Sequence, residues 1–162
     1  MVYQQSHFVK SLTVAENVAF PLFLDGRDEK SALERARDAL ELVKMEKYFD
    51  SKPADLSGGE QQKVSLARSL VLAPWILICD EPTGNLDSKS GWEIMDLLTE
   101  INQKSKRTII MVTHNVSYWP LGNRKILMED GKIVGQYGEK IPQKVLDKML
   151  TRDMTTIEGM KK

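Results

Sequence analysis

Residues 56–81, LSGGEQQKVSLARSLVLAPWILICDE, contain a serine and two glycines, an amphipathic stretch, an apolar run and two carboxylates. Ser57 and Glu60 have the spacing of a capping box, which predicts a helix that begins here and continues until Pro74 stops it. The first amide N–H groups of a helix lack intrahelical partners and its dipole favours an anion, so a glycine-rich helix start can bind phosphate. Ser-Gly-Gly alone is more often only the beginning of a helix.

The second half of this stretch is an apolar run followed by two acids. Residues 75–79 are all apolar and have strand length, as expected for a strand covered on both faces of a sheet. Asp80 and Glu81 then follow at the carboxyl end, where α/β sheets bind ligands and where carboxylates can hold Mg²⁺ or act on a developing charge. An isolated Asp-Glu pair is more often merely solvated, and the lone Cys79 is more often a small buried apolar residue.

Helices and strands alternate along the chain, which indicates an α/β sheet with helices on its faces. The capping-box spacing of Thr13 and Glu16 predicts a short helix that Pro21 breaks, and that of Ser31 and Glu34 predicts a second helix to about residue 48. The other predicted elements are a strand end at 2–3, a helix over 88–103, a buried strand over 108–112 and a hairpin that turns at Asp130–Gly131. The residues predicted to face inward on the 88–103 helix are Ile94, Leu97, Leu98 and Ile101. Pro142 can open a last helix with Val145, Leu146, Met149 and Leu150 on one face, followed by a loose tail over 151–162.

The length and composition indicate one soluble globular domain. The 162 residues are 41% hydrophobic and 28% charged. Lys+Arg and Asp+Glu both total 23, so no net charge attracts the chain to nucleic acid or to an anionic membrane. One cysteine excludes an internal disulfide and suits a reducing cytoplasm. No apolar run approaches the ~18 residues of a membrane span, and residues 1–10 lack a signal-peptide layout, so we expect a partner to provide any link to a membrane.

Four motifs together resemble the ATP-binding subunits of ABC transporters. LSGGEQQ at 56–62 is similar to the family's signature motif, and ILICDEPTGNLD at 76–87 to its Walker B strand and D-loop. Thr113-His114 after TIIMV resembles the switch histidine of the H-loop, and VYQQ at 2–5 followed by SLTVAENV resembles the Q-loop. The motifs stand in the family's order and spacing. EPTGNLD and the short Q-loop region resemble the branch of lipoprotein release and macrolide export.

The resemblance implies a fold and a domain order. The fold is the P-loop NTPase-like (RecA-like) α/β core, of which about half is present, with a helical subdomain and an incomplete N-terminal side. The implied parts are a Q-loop segment over 1–12, a helical subdomain over 13–55, the signature, Walker B, D-loop and H-loop part of the ATPase core over 56–138, and a C-terminal helix and tail over 139–162.

The resemblance also implies catalytic roles, with ATP and Mg²⁺ as cofactors. Asp80 would hold Mg²⁺, and Gln4 would touch Mg²⁺ or the attacking water. Glu81 would polarise that water as general base. His114 would contact the γ-phosphate and link it to the catalytic carboxylate, although a lone histidine is more often structural. The implied reaction converts ATP and water to ADP and phosphate.

Members of the family also have a second surface, which contacts the nucleotide held by another subunit. By resemblance, Ser57, Gly58, Gly59 and Gln61 would contact that nucleotide in trans. Asp87 would lie at the interface of the dimer, although plain capping of the following helix explains this aspartate equally well.

No part of the sequence has the form G-x-x-x-x-G-K-[ST], the Walker A or P-loop motif. The one Gly-Lys pair, Gly131-Lys132, lies in the predicted hairpin turn. In the family this loop precedes the Q-loop, so the resemblance implies that the N-terminal portion is absent. Because its N–H groups and lysine cradle the phosphates, we expect the chain alone to bind ATP weakly and not to hydrolyse it. We also expect an uncovered sheet, with self-association or loosening around it.

The implied partners are a second ATPase subunit, identical or different, and a transmembrane permease, with no nucleic acid. They place the chain in the cytoplasm, on the inner face of the membrane. A non-catalytic module that lends its signature face to a complete partner predicts the same motifs. An ABC ATPase of chromosome maintenance or DNA repair fits less well, because only a short interval separates Gln4 from Leu56 and the chain has no sustained heptads, CxxC or basic patch.

Overall fold

The computed structural model describes residues 1–4 and 6–147, and the chain divides into two compact units, Met1–Thr113 and His114–Lys162. The elements of the first unit are α1 (Val14–Leu24), α2 (Glu29–Leu42), short 3₁₀ turns at Glu46–Tyr48 and Pro53–Asp55, α3 (Gly58–Leu70), β1 (Ile76–Asp80), α4 (Ser88–Ser105) and β2 (Thr108–Val112). The second unit holds a 3₁₀ turn at Val116–Leu121 and the strands β3 (Lys125–Glu129) and β4 (Lys132–Tyr137).

The helices of the first unit pack around α3. Helices α1 and α2 contact each other and α3, and α3 also contacts α4. The predicted inward face of α4 is confirmed, because Ile94, Leu97, Leu98 and Ile101 are buried. No helix in the described part of the chain has both the length and the apolar character needed to cross a membrane.

Helix α1 begins where the sequence predicts but does not break at Pro21. The Thr13–Glu16 capping box is present, and Pro21 lies inside the helix, which continues to Leu24. A proline inside a helix costs about 3 kcal/mol. Val18 and Leu22 are fully buried on either side of Pro21, and this packing offsets the cost.

The predicted second capping box is wrong. Helix α2 is capped by Asp28, whose side chain accepts the N–H of Ser31, so Ser31 lies inside the first turn. The helix ends at Leu42 because Lys44 adopts a left-handed conformation with φ 60°. The N–H of Met45 then bonds the carbonyl of Leu40 at 2.9 Å, which closes a Schellman motif. No glycine marks this helix end, so the sequence predicted a longer helix.

Strand β1 lies between β2 and the beginning of the chain. It pairs with β2 in parallel, with Ile76 opposite Thr108 and Asp80 opposite Val112. On the other side Val2 forms a parallel bridge with Cys79. The N–H of Val2 bonds Ile78 at 2.8 Å, and the N–H of Asp80 bonds Val2 at 2.9 Å. Val2 therefore pairs with β1 through a single bridge, where the sequence predicts the end of a strand.

The expected uncovered sheet is present, because the apolar strands β1 and β2 are covered on one face only. Leu77 and Cys79 are buried, whereas Ile78 is 42% exposed and its neighbour Ile110 on β2 is 50% exposed. Successive side chains of a strand point to opposite faces, so the described elements cover one face of this sheet and leave the other in solvent. We call the apolar face formed by Ile76, Ile78, Ile110 and Val112 the open sheet face.

The second unit contains the predicted hairpin. Asp130 and Gly131 have φ 48° and 74°, the two positive values that a type I′ turn requires. Helical backbone also follows Pro142, whose carbonyl accepts the N–H groups of Val145 and Leu146. Met149, Leu150 and the predicted tail over 151–162 lie outside the described residues.

The open sheet face predicts that the 162-residue chain self-associates. Exposed apolar side chains on neighbouring strands favour burial against a second copy. We expect Ile110→Lys to shift the chain towards monomer in light scattering over a range of concentrations. Leu24→Lys is the matched control, since Leu24 is 76% exposed on α1, away from the strands. A monomeric wild-type chain with strong hydrogen-exchange protection throughout β1 and β2 would contradict this prediction.

Candidate functional site

The first turn of α3 is held by the predicted capping box. The N–H of Ser57 donates to Glu60 Oε2 at 2.9 Å, and the Ser57 hydroxyl donates to the same oxygen at 2.7 Å. In return Ser57 Oγ accepts the N–H of Glu60 at 3.4 Å. Ser57 and Gly58 are exposed, so the glycine-rich start of the helix faces solvent. This is the arrangement that an anion at a helix N-terminus requires.

The Glu60 carboxylate also connects this turn to the preceding segment. The hydroxyl of Tyr48 donates to Glu60 Oε1. This bond is the largest cause that lowers the pKa of Glu60 to about 2. The bonds from the side chain and backbone of Ser57 are the next largest causes. The carboxylate therefore stays ionised at neutral pH, as a strong acceptor near the positive end of the α3 dipole.

The side chain of Gln61 points towards the turn that precedes α3. Its Nε2 donates to the carbonyls of Pro53 at 3.1 Å and Leu56 at 3.2 Å. Gln61 thus orders the backbone that leads into Ser57. Its predicted contact with nucleotide stays a prediction.

Gly59 lies directly against the beginning of α4. A Cβ at position 59 would be 3.2 Å from both Cβ and Oγ of Ser90. Ser90 is in turn bonded to Asp87, which accepts its N–H at 3.0 Å and its hydroxyl at 2.7 Å. These bonds lower the pKa of Asp87 and confirm its role as the cap of α4. Its place at a dimer interface stays a prediction.

The carboxyl end of β1 brings three predicted residues to one edge of the sheet. Val2 is bridged to Cys79, so Gln4 emerges beside Asp80 and Glu81. Asp80 is exposed. Glu81 has φ 45°, a left-handed conformation that is strained for a glutamate, and its N–H bonds the carbonyl of Val112 at 3.0 Å. The chain therefore turns sharply at the residue predicted to be the general base.

The side chain of Gln4 contacts the loop after β1. Its Nε2 donates to Asn85 Oδ1 at 3.3 Å, and a Cβ at position 84 would be 2.8 Å from the same Nε2. Glycine at position 84 thus leaves the space that Gln4 occupies. Sequence reasoning missed the roles of Gly84 and Asn85, because this contact joins residues 80 positions apart.

His114 follows β2 by two residues and is exposed. It opens the second compact unit. Its contact with a phosphate or with Glu81 stays a prediction.

The donor set at this edge fits Mg²⁺. Asp80 offers carboxylate oxygens and Gln4 an amide oxygen, which are ligands that Mg²⁺ accepts. Among the described residues, no group of three or more His, Cys, Asp or Glu is arranged around a common metal position. Magnesium in phosphate-transfer sites is commonly held by one or two carboxylates, waters and the substrate phosphates, so a sparse protein set is suitable.

The sequence profile of a family described as "ABC transporter" matches residues 1–84, just over half of the chain. The chain belongs to the ABC transporter family. The matched residues include the stretches that resemble the Q-loop, the signature motif and the Walker B strand.

The similar proteins include members of the predicted branch. The lipoprotein-releasing system ATP-binding protein LolD of Rickettsia typhi is 47% identical over 114 residues, 70% of this chain and 52% of that protein. The macrolide export ATP-binding/permease protein MacB of Aggregatibacter actinomycetemcomitans is 42% identical over 82% of this chain and 20% of that protein. The chain thus spans about half the length of LolD and a fifth of MacB.

A solved ABC cassette has the same fold. It is MJ0796 as a dimer in a post-hydrolysis state bound to ADP and Pi, with a TM-score of 0.75 and 34% identity over 87% of this chain and 62% of that structure. The predicted P-loop NTPase-like fold class is therefore confirmed. After the family motifs that their sequences resemble, we call α3 the signature helix, β1 the Walker B strand and residues 81–87 the D-loop.

The ionised Glu60 predicts a defined pH dependence of stability. The folded pKa is about 2, below the ordinary value of 4.5, so the stabilisation is fully present above about pH 5 and is lost as pH falls towards 2. We expect Glu60→Gln to lower the urea midpoint most at neutral pH and least near pH 2. Tyr48→Phe removes the first cause of the shift and should raise the pKa of Glu60 in an NMR titration. Equal destabilisation by Glu60→Gln at every pH would contradict this assignment.

Proposed function

We propose that this chain is the ATP-binding part of an ABC transporter and couples ATP hydrolysis to the movement of a substrate across a membrane. The proposal rests on two sites that this one chain of the ABC transporter family carries. The exposed, capped start of the signature helix suits a phosphate group, and the acidic edge of the sheet suits Mg²⁺ and an attacking water. The two sites lie on different elements, as binding of two nucleotides across a dimer requires.

The acidic edge performs the chemistry in this proposal. Asp80 and Gln4 hold Mg²⁺, which neutralises charge on the phosphates when bound. Glu81 accepts a proton from the attacking water, at the point where the backbone turns sharply after β1. His114 contacts the γ-phosphate from the end of β2. ATP and Mg²⁺ are the proposed cofactors.

The 162 residues contain no Walker A motif, so the phosphate-binding loop of the active assembly comes from outside them. We propose that the protein segment carrying this loop packs on the open sheet face. Support comes from Ile78 and Ile110, which lie half exposed beside the Asp80 edge. Burial of this face would place the loop's N–H groups and lysine near the acidic residues.

The signature face completes the proposal. Ser57, Gly58, Gly59 and Gln61 contact the nucleotide of a second ATPase subunit, and Asp87 lies at that interface. A transmembrane permease provides the path for the substrate, so the chain works in the cytoplasm on the inner face of the membrane.

A second candidate is a non-catalytic module that lends only this signature face to a complete partner. The combination of an intact signature turn and no Walker A motif favours it. In this case Glu81 makes no contribution to turnover in any assembly.

Substitution of Glu81 tests catalysis. The 162-residue chain alone should show no Mg²⁺-dependent ATPase above background, because nothing holds the phosphates. In an assembly that supplies the P-loop, Glu81→Gln should lower turnover by at least about a hundredfold, the scale of a general base, with ATP binding retained. Glu139→Gln, distant in sequence from every motif, is the control. Wild-type turnover in the Glu81→Gln assembly would exclude a role for Glu81 as general base. It would favour the second candidate, a non-catalytic module that provides only its signature face.

Substitution of Gly59 tests the trans face. Gly59→Asp brings a carboxylate to the helix start, where it repels a phosphate and collides with Ser90. In a dimer of the assembly that supplies the P-loop, we expect ATP binding to each P-loop to survive, while dimer closure and hydrolysis fall. Gly59→Ala separates the collision from the charge and should have the smaller effect. Equal losses of binding and hydrolysis in Gly59→Asp would argue against a trans role.

A further inference from the structure

The second glutamine of the signature motif, Gln62, is buried and bonded to the Q-loop. It is 3% exposed. Its Nε2 donates to the carbonyl of Tyr3 at 2.9 Å, and its Oε1 accepts the hydroxyl of Ser6 at 3.0 Å. A buried amide is stable only when its polar atoms have partners, so these bonds fix the loop relative to α3.

Arg68 holds the same loop about one and two-thirds turns further along α3. Its Nη1 donates to the carbonyl of His7 at 2.6 Å, and its guanidinium lies 5.0 Å from the centre of the Phe8 ring. Charge-assisted bonds and cation–π contacts are among the stronger polar interactions available to a half-buried arginine. The signature helix therefore holds the Q-loop both before and after Ser6.

Gln4 lies between these contacts and the D-loop. Its neighbour Tyr3 is bonded to Gln62, while its own side chain meets Asn85 and the space left by Gly84. A shift of α3 along its axis would pull the backbone of Tyr3 and so move the Gln4 amide against the D-loop. The same helix begins at Ser57, where the proposed trans nucleotide binds.

We propose that Gln62 and Arg68 are positioning residues through which the signature helix sets the place of Gln4. When the Ser57–Gly59 surface binds the nucleotide of the second subunit, α3 changes the position of Gln4. Gln4 is the residue proposed to contact the Mg²⁺ and the attacking water in its own subunit. This inference rests on the proposed function. Gln62 and Arg68 do not contact the nucleotide in this proposal. They act only by holding the backbone and side chains of the Q-loop.

The first test measures the mobility of the Q-loop in the 162-residue chain by NMR relaxation. Gln62→Met keeps the length of the side chain but removes both hydrogen bonds. We expect backbone order parameters at Gln4, Ser6 and His7 to fall below about 0.6, while those of α3 stay near 0.85. Gln103→Met, an exposed glutamine on α4, is the matched control and should change nothing. An unchanged loop in Gln62→Met would overturn the proposal.

The second test measures ATPase kinetics in the assembly that supplies the P-loop. Gln62→Met should lower kcat about tenfold, the scale of a buried hydrogen bond lost, and leave KM for ATP within about twofold. Ser6→Thr keeps the hydroxyl and should retain most activity, whereas Ser6→Ala should not. A loosened loop with unchanged kcat would also overturn the proposal. Absence of ATPase in the wild-type assembly would instead refute the proposed function, while the order parameters would still decide whether α3 holds the Q-loop.

Discussion

The hydrogen bonds between Ser57 and Glu60 determine where α3 begins, and the arrangement of the first unit depends on that helix. The Tyr48 hydroxyl and the Gln61 amide tie the same turn to the segment before it. A shift of the helix start by one residue would rotate α3 by about 100°. It would then remove Gln62 from the Q-loop and Gly59 from Ser90, so one local motif sets the position of several distant contacts.

The two proposed nucleotide faces differ in how they are built. The signature turn is formed by residues close in sequence, and its side-chain hydrogen bonds span three to twelve positions. The acidic edge is assembled from the ends of separate segments, with Gln4 brought to Asp80 by the bridge between Val2 and Cys79. The first can form with its helix, whereas the second requires the parallel pairing that only a folded sheet provides.

The Q-loop is the part of the first unit where the two faces meet. Four hydrogen bonds join it to Gln62 and Arg68 of the signature helix and to Asn85 of the D-loop. Three helices pack on α3, whereas polar side chains connect α3 to the Q-loop. A polar connection suits such a place because hydrogen bonds can exchange partners without opening an apolar core.

The sequence by itself determined the family motifs, two capping boxes and the Asp130–Gly131 turn, because each depends on residues close together in the chain. The tertiary structure alone decided that α1 continues through Pro21, where buried Val18 and Leu22 offset the lost bond, and that α2 ends at Lys44 without a glycine. It also decided which face of β1 and β2 stays open and that Gln62 reaches Tyr3. These outcomes depend on which distant segments come into contact, and neither hydrophobic period nor local propensity contains that information.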